Sequence, residues 1–285
     1  MAASTQPAPK PRRFSFDWKQ PLWHIPLLIV AFLMFFPFIW MLLSSFKTTK
    51  EIVAIPPTWW PEIFVTTGYQ QVMAKMPLVR NFANSLIVCL ATTATACFSA
   101  SLAGFVFAKY QFKGREVFFY CLIATMMVPI AVLVLPLHTL FTSLKLQNTY
   151  PALILPLAIN GFGIFLMRQF MDSLPDEMMA AARIDGASEW TIWRKIALPL
   201  YLSPLAGVAV FTFLTNWNQF YWPLVITSKP EMRMLTQNVA MTAVQLGPRY
   251  DTLIAGAVIS VFPIVILFAF AMRQVVESVT FSGGR

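Results

Sequence analysis

The segment 174–199, LPDEMMAAARIDGASEWTIWRKIALP, is a charged island within an otherwise apolar sequence. Asp176 and Glu177 suit the positive end of a first short helix. Gly186 is typical of a helix end at which the chain adopts a left-handed conformation, and Ser188 is typical of the cap of a second helix. The segment therefore predicts a polar hairpin of two short helices between two apolar stretches.

The composition around this hairpin indicates an integral membrane protein. Hydrophobic residues make up 58% of the 285 residues and charged residues only 12%, whereas soluble domains carry about 25% charged residues. The alternating strands of an outer-membrane barrel are not evident in the sequence. The net charge of +9 fits Lys and Arg residues beside membrane spans, so we expect no nucleic acid among the partners.

Six stretches of the sequence are long and apolar enough to cross a bilayer, which requires about 20 residues. Their approximate limits are 26–46, 84–107, 117–141, 152–171, 202–226 and 253–272. We therefore predict an all-α integral membrane protein with six transmembrane helices. Residues 1–24 form an N-terminal segment, 25–280 the transmembrane domain and 281–285 a C-terminal tail.

The positions of Lys and Arg predict the orientation in the membrane, because cytoplasmic connections are enriched in these residues. The short connection after the second predicted span contains Lys109, Lys113 and Arg115. This pattern favours cytoplasmic N- and C-termini and places the hairpin on the cytoplasmic side. The connection at 227–251, here called the outer loop, then lies on the opposite side.

Motifs of common catalytic and metal sites are not evident in the sequence. There is no G-x-x-x-x-G-K-[ST] motif to bind the phosphates of ATP, and His24 and His138 stand apart from any Cys or His cluster. We therefore expect no catalytic residue, cofactor or metal site in this chain. The spans also lack the central carboxylates that proton-driven carriers use, which indicates that another subunit supplies the energy.

The hairpin resembles the EAA loop of ABC importer permeases. The matching positions are Ala181-Ala182-Arg183-Ile184-Asp185-Gly186-Ala187, followed by Trp193, Ile196, Leu198 and Pro199. Nearly the whole chain is similar to the smaller six-span permease of carbohydrate-uptake systems of the maltose-transporter type, including FAKYQFKGR at 107–115 and WNQFYWPL at 217–224. The glutamate of the family is Ala180 here, and Glu177, one turn earlier, is its candidate substitute.

This resemblance implies a bacterial, ATP-driven importer that moves a sugar or oligosaccharide inward by alternating access across the cytoplasmic membrane. The implied partners are a homologous permease, two copies of an ABC ATPase that bind ATP and Mg, an extracytoplasmic sugar-binding protein and the lipid bilayer. The hairpin would be a coupling helix that docks on the ATPase. Its expected coupling positions are Glu177, Ala181, Ala182, Asp185, Gly186, Ala187, Trp193 and Pro199. The alternative is an amphipathic helix that lies on lipid headgroups.

A polar cluster in the fifth predicted span is the candidate substrate pathway. It consists of Asn216, Trp217, Asn218 and Gln219. Amide groups suit the hydroxyls of a sugar, and an aromatic ring suits its apolar face. The alternative is that these amides bond neighbouring helices.

The outer loop is the candidate contact with the binding protein. The resemblance implies that this loop enters the open cleft of that protein, with Gln237, Asn238 and Met241 as expected contacts. The alternative is a loop folded over its own membrane domain.

Two other functions remain open from the sequence. One is an ABC permease for a different solute, such as a polyamine or a glycerophosphodiester. The other is a membrane-embedded enzyme that acts on lipids, against which the hairpin and the lack of an intramembrane acid–base or metal cluster both argue.

Overall fold

The structure, a computed structural model, describes residues 21–245, 247 and 249–282. Most of the predicted N-terminal segment and C-terminal tail lies outside these residues. Every regular element in the described part of the chain is a helix, which confirms the all-α prediction. The α-helices are α1 Pro21–Ser44, α2 Thr49–Ile52, α3 Thr67–Lys75, α4 Leu78–Lys109, α5 Arg115–Met126, α6 Ile130–Ser143, α7 Tyr150–Ile154, α8 Gly161–Met171, α9 Asp176–Ile184, α10 Glu189–Ile192, α11 Leu198–Leu200, α12 Leu202–Trp217, α13 Tyr221–Ile226, α14 Leu235–Gln245 and α15 Tyr250–Ser282.

Three single helices are long and apolar enough to cross a membrane, namely His24–Ser44, Leu78–Lys109 and Tyr250–Ala269. Three bent pairs of helices also pass this test: Arg115–Met126 with Ile130–Ser143 (98°), Tyr150–Leu157 with Gly161–Met171 (43°), and Glu189–Leu200 with Leu202–Trp217 (81°). Between three and six crossings are therefore available among the described residues, and the count of six stays a prediction.

The predicted fifth span, 202–226, is broken in the structure. Helix α12 ends at Trp217, and α13 begins at Tyr221. Pro223 has no N–H to donate to a carbonyl in the preceding turn. The carbonyl that such an N–H would reach belongs to Gln219, within the break. At the end of α12, both the main-chain N–H and the side chain of Asn218 donate to the carbonyl of Leu214, at 3.2 and 2.9 Å. The sequence from 202 to 226 is predominantly apolar and contains no charged residue, so this break is visible only in the structure.

Helix α4 lies at the centre of the fold and packs against α8 and α12. Small residues allow this close packing: a Cβ atom on Gly104 would lie 2.6 Å from that of Met167, and one on Gly163 would lie 2.9 Å from Val208. Helices in membranes commonly approach each other through small residues in this way. One end of α4 contributes to a core with Trp217 and the other to a core with the hairpin.

Candidate functional site

The first arm of the hairpin is α9, and a left-handed glycine ends it. Gly186 has a φ of +79°. Its N–H donates to the carbonyl of Arg183 at 3.0 Å, and the N–H of Ala187 donates to the carbonyl of Ala182 at 2.9 Å. This pair of bonds is the Schellman ending of a helix, which requires a left-handed residue at the position of Gly186. The predicted role of this glycine in ending the helix is confirmed.

The second arm begins at the predicted cap. The Ser188 side chain accepts a hydrogen bond from the N–H of Thr191. The arm then widens into a π-turn at Trp193–Ala197 before α11. Helix α11 contains Pro199 at its second position and ends at Leu200. A wider turn ahead of Pro199 relieves the clash between its ring and the preceding carbonyls.

The hairpin has a buried face and an exposed face, and the expected coupling positions divide between them. Ala182 is buried, and Trp193 is only 5% exposed. The Trp193 ring packs edge-on against Phe98 at 5.8 Å and lies 4.6 Å from the Trp190 ring. Ala182 and Trp193 therefore hold the hairpin against the membrane domain, and their side chains do not form its outer surface.

The other expected coupling positions are accessible. Glu177, Ala181, Asp185, Gly186 and Pro199 are exposed, and Ala187 is half-buried. Two apolar side chains lie exposed on the first arm as well, Met178 and Ile184, the latter 86% exposed. The exposed face thus combines small and apolar groups with carboxylates.

The C-terminal end of α4 contacts both arms through polar side chains, which the sequence interpretation did not foresee. Lys109 Nζ lies 3.0 Å from Asp176 Oδ1 at the start of the first arm. The Tyr110 hydroxyl donates to the carboxylate of Glu189 at the start of the second arm. The pairs Lys109–Asp176 and Tyr110–Glu189 are here called the latch. Their sequence separations of 67 and 79 residues explain why no local pattern predicts them.

The two arms are also joined directly across the Gly186 turn. Arg183 Nε donates to Glu189 Oε1 at 2.7 Å, and Arg183 Nη2 donates to Glu189 Oε2 at 3.2 Å. Arg183 and then Tyr110 lower the pKa of the Glu189 carboxyl by donating to it. Burial, followed by the nearby Glu189, raises the pKa of the Tyr110 phenol to about 12. The carboxylate and the protonated phenol are therefore both the stable forms at neutral pH.

The candidate pathway residues separate into two buried and two accessible side chains. Asn216 is buried and donates to Thr92 Oγ1 at 2.9 Å, and Trp217 is fully buried with its indole N–H donating to the Ser260 carbonyl at 3.0 Å. Asn218 is exposed and Gln219 is half-buried, both at the break after α12. Packing between helices thus accounts for Asn216 and Trp217, whereas Asn218 and Gln219 remain accessible.

The outer loop is folded over its own membrane domain. It contains α14, which packs against α15 and α4. Gln237 is 0% exposed and Asn238 is 2% exposed. Gln237 exchanges hydrogen bonds with Thr227, and Asn238 Nδ2 donates to Asn81 Oδ1 at 2.7 Å.

This burial corrects the expectation that Gln237 and Asn238 contact a binding protein, because both side chains are engaged inside this chain. Met241 is half-buried, and its sulfur lies 4.0 Å from Gln237 Nε2. Exposed residues of the loop lie on both sides of this buried part, at Ser228, Lys229, Pro230 and Glu231 before it and at Val244, Gln245, Gly247, Arg249 and Tyr250 after it.

Within the described residues, no group of three His, Cys, Asp or Glu side chains has the arrangement of a metal site. The three cysteines are free thiols, with Cys89 buried, Cys97 half-buried and Cys121 exposed. The accessible features are the exposed face of the hairpin, which suits contact with a protein, and the amides of Asn218 and Gln219, which can form hydrogen bonds.

Comparison with known proteins identifies relatives over most of the chain. Residues 100–280 match the family described as "Binding-protein-dependent transport system inner membrane component". The arabinooligosaccharides transport system permease protein AraQ of Halalkalibacterium halodurans is 35% identical over 257 residues, which cover 89% of this chain and 92% of AraQ. The lactose transport system permease protein LacG of Rhizobium radiobacter is 34% identical, with 88% of this chain and 91% of LacG covered.

A solved structure has the same fold. It is a crystal structure of a bacterial ABC transporter involved in the import of the acidic polysaccharide alginate. One of its chains superposes with a TM-score of 0.76 at 21% identity, covering 91% of this chain and 98% of that chain.

Proposed function

This chain belongs to the family of inner membrane components of binding-protein-dependent transport systems, and from that premise we propose that it carries a sugar or oligosaccharide inward as the permease subunit of an ATP-driven importer. The observation that carries the proposal is the similarity of nearly the full chain to AraQ and LacG, two permeases named for arabinooligosaccharides and lactose. Family membership confirms the predicted transport role and the predicted membrane location.

The proposed assembly follows the predicted partners. The family description itself names a binding protein. We propose in addition a homologous permease and two copies of an ABC ATPase. The ATPases would bind ATP and Mg and hydrolyse the ATP, since the sequence of this chain contains no phosphate-binding motif. We propose that the N- and C-termini and the hairpin lie in the cytoplasm, with the outer loop on the opposite side.

The hairpin is the proposed docking site for the ATPase. Its exposed face presents Met178, Ala181 and Ile184 beside the carboxylates of Glu177 and Asp185. Exposed apolar groups ringed by polar ones are typical of a contact between proteins. Ala182 and Trp193 support this face from behind, since both are buried against the membrane domain.

Asn218 and Gln219 are the proposed contacts with the solute. They lie where α12 ends and are accessible, and their amide groups can both donate to and accept from sugar hydroxyls. The proposed contact with the binding protein is the exposed part of the outer loop around Lys229 and Glu231, which carries one charge of each sign.

Reconstitution in liposomes tests the proposal. The chain is assembled with its partner permease, the ATPase and the binding protein, and uptake of labelled oligosaccharides is measured with and without ATP. Uptake of an oligosaccharide that requires both ATP and the binding protein is expected. Uptake of a polyamine or glycerophosphodiester with no sugar transported would refute the sugar assignment, and uptake that continues without ATP would refute the mechanism.

A further inference from the structure

The latch joins one end of α4 to both arms of the hairpin through two adjacent residues. The Lys109 side chain is only 6% exposed, although that of its partner Asp176 is 83% exposed. Lys109 Nζ also donates to the carbonyl of Asp172 at 3.1 Å, just before the first arm. Tyr110 reaches the second arm through Glu189. Since Glu189 also binds Arg183, the polar bonds form a closed frame around the hairpin.

The opposite end of α4 is joined just as closely to the outer loop. Asn81 Nδ2 donates to the carbonyls of Pro230 and Arg233 at 3.0 and 2.9 Å. Asn84 Nδ2 donates to the carbonyls of Glu231 and Arg233 at 2.7 and 3.1 Å. Both asparagines are 0% exposed. The outer loop is therefore fixed to the N-terminal part of α4.

Helix α4 is one uninterrupted element between these two attachments. It has 32 residues and no internal proline, so its length is about 48 Å at a rise of about 1.5 Å per residue. Sharp kinks in helices arise mostly at proline or at breaks, and α4 has neither, whereas α5–α6 and the pair that ends in α12 are bent by 98° and 81°. Helix α4 therefore joins the hairpin to the outer loop through one unbroken element.

We propose that Lys109 and Tyr110 are positioning residues that lock the hairpin to α4, so that displacement of the hairpin by the ATPase is transmitted along α4 to the outer loop. This inference rests on the proposed function. Apolar packing by residues such as Met179 and Trp193 keeps the hairpin attached to the domain. The latch adds directional bonds, which fix the angle between hairpin and helix.

The first test measures the number of ATP molecules hydrolysed per sugar imported in the reconstituted complex. In the double variant Lys109→Met with Tyr110→Phe, the ratio is expected to rise about threefold or more, while the subunits still co-purify. Tyr120→Phe is the matched control, because Tyr120 lies on α5 with an exposed side chain and should leave the ratio unchanged. A wild-type ratio in the double variant, or loss of subunit assembly, would overturn the proposal.

A charge exchange provides a readout that general loss of stability does not mimic. Lys109→Asp alone should uncouple ATP hydrolysis from import, and Lys109→Asp combined with Asp176→Lys should restore at least part of the coupling. Failure of the second substitution to restore any coupling would count against a specific latch.

Crosslinking tests whether the connection stays closed during turnover. Cysteines at positions 110 and 189 are joined by a short bismaleimide, in a background with Cys97 and Cys121 changed to alanine. These substitutions remove the Tyr110–Glu189 bond, so the unlinked complex should hydrolyse more ATP per sugar than the wild type. If the hairpin and α4 move together, the crosslink replaces that bond and should lower this ratio without slowing import. Loss of import on crosslinking would show that the latch opens in the cycle and would refute transmission through it. Absence of sugar import in the wild-type complex would instead refute the proposed function.

Discussion

The turn at Gly186 offers a sharp test of the hairpin, because a substitution there strains the backbone without crowding neighbouring atoms. Its φ of +79° lies in the left-handed region, and a Cβ atom added there would have no heavy atom within 4 Å. A substitution therefore pays only the backbone penalty. That penalty is about 1–2 kcal/mol for an ordinary residue and is greatest for a β-branched one, whereas asparagine tolerates this conformation well.

A series of substitutions at Gly186 with graded backbone penalties tests this estimate. A cost of 1–2 kcal/mol corresponds to about a 5- to 30-fold fall in the ratio of the native turn to its alternatives. We expect Gly186→Val to lower sugar-stimulated ATP hydrolysis and uptake by up to about this factor, Gly186→Ala by less, and Gly186→Asn least of all. The assay is ATP hydrolysis and uptake in proteoliposomes, normalised to the amount of assembled complex.

Gly247 provides a matched control for this series. Its φ is +72°, and a Cβ atom added there would also have open space, but it lies in the outer loop. Gly247→Val carries the same kind of backbone penalty without altering the hairpin. Gly186→Val with wild-type activity would refute the coupling role of the turn, and equal losses in both variants would refute its specificity.

Three further predictions follow from the side-chain environments. Asn218→Ala and Gln219→Ala should alter solute selectivity without loss of assembly. Asn216→Ala should instead lower the thermal midpoint of the purified complex. Unchanged selectivity in the Asn218 and Gln219 variants would mean that these amides serve helix packing. Asn238→Ala should cost about 1–3 kcal/mol of stability because it leaves the buried amide oxygen of Asn81 unpaired. A photocrosslinker at position 238 should capture less binding protein than one in place of Lys229. Equal capture at both positions would contradict the burial of Asn238. The Tyr110–Glu189 bond should contribute equally to coupling between about pH 6 and 9. The lowered pKa of the Glu189 carboxyl means that this bond weakens only in acid, below the ordinary carboxyl range, and the raised pKa of the Tyr110 phenol means that it weakens only as the pH rises towards about 12. A midpoint in the ratio of ATP to sugar between about pH 6 and 9 that disappears in Tyr110→Phe would refute this assignment.

The features predicted correctly from the sequence are those encoded by neighbouring residues. Gly186 and Ser188 mark the turn of the hairpin through backbone conformation and capping, which local sequence determines. Long apolar runs identify membrane helices such as α4 for a similar reason, since hydropathy over about 20 residues is sufficient.

The features that the sequence did not reveal depend on residues far apart in the chain, or on a proline that opposes helix formation within an apolar run. Gln237 and Asn238 look like exposed residues of a polar loop, but Thr227 and Asn81 satisfy their amides in the interior. Tyr110 and Glu189 are far apart in sequence, so their contact is visible only in the folded chain. The break after Trp217 arises because Pro223 interrupts the hydrogen bonds of a run that remains apolar.

The way α4 holds the outer loop bears on how such a permease can acquire a new binding protein. Asn81 and Asn84 bond to main-chain carbonyls at residues 230, 231 and 233, and these acceptors are present whatever side chains the loop carries. The exposed side chains of Lys229 and Glu231 can therefore be replaced during evolution without disturbing the bonds that shape the backbone. Chimeras that exchange only these exposed positions should fold. Under the proposed contact with the binding protein, such exchanges at the tip of the loop would redirect the transporter to another binding protein.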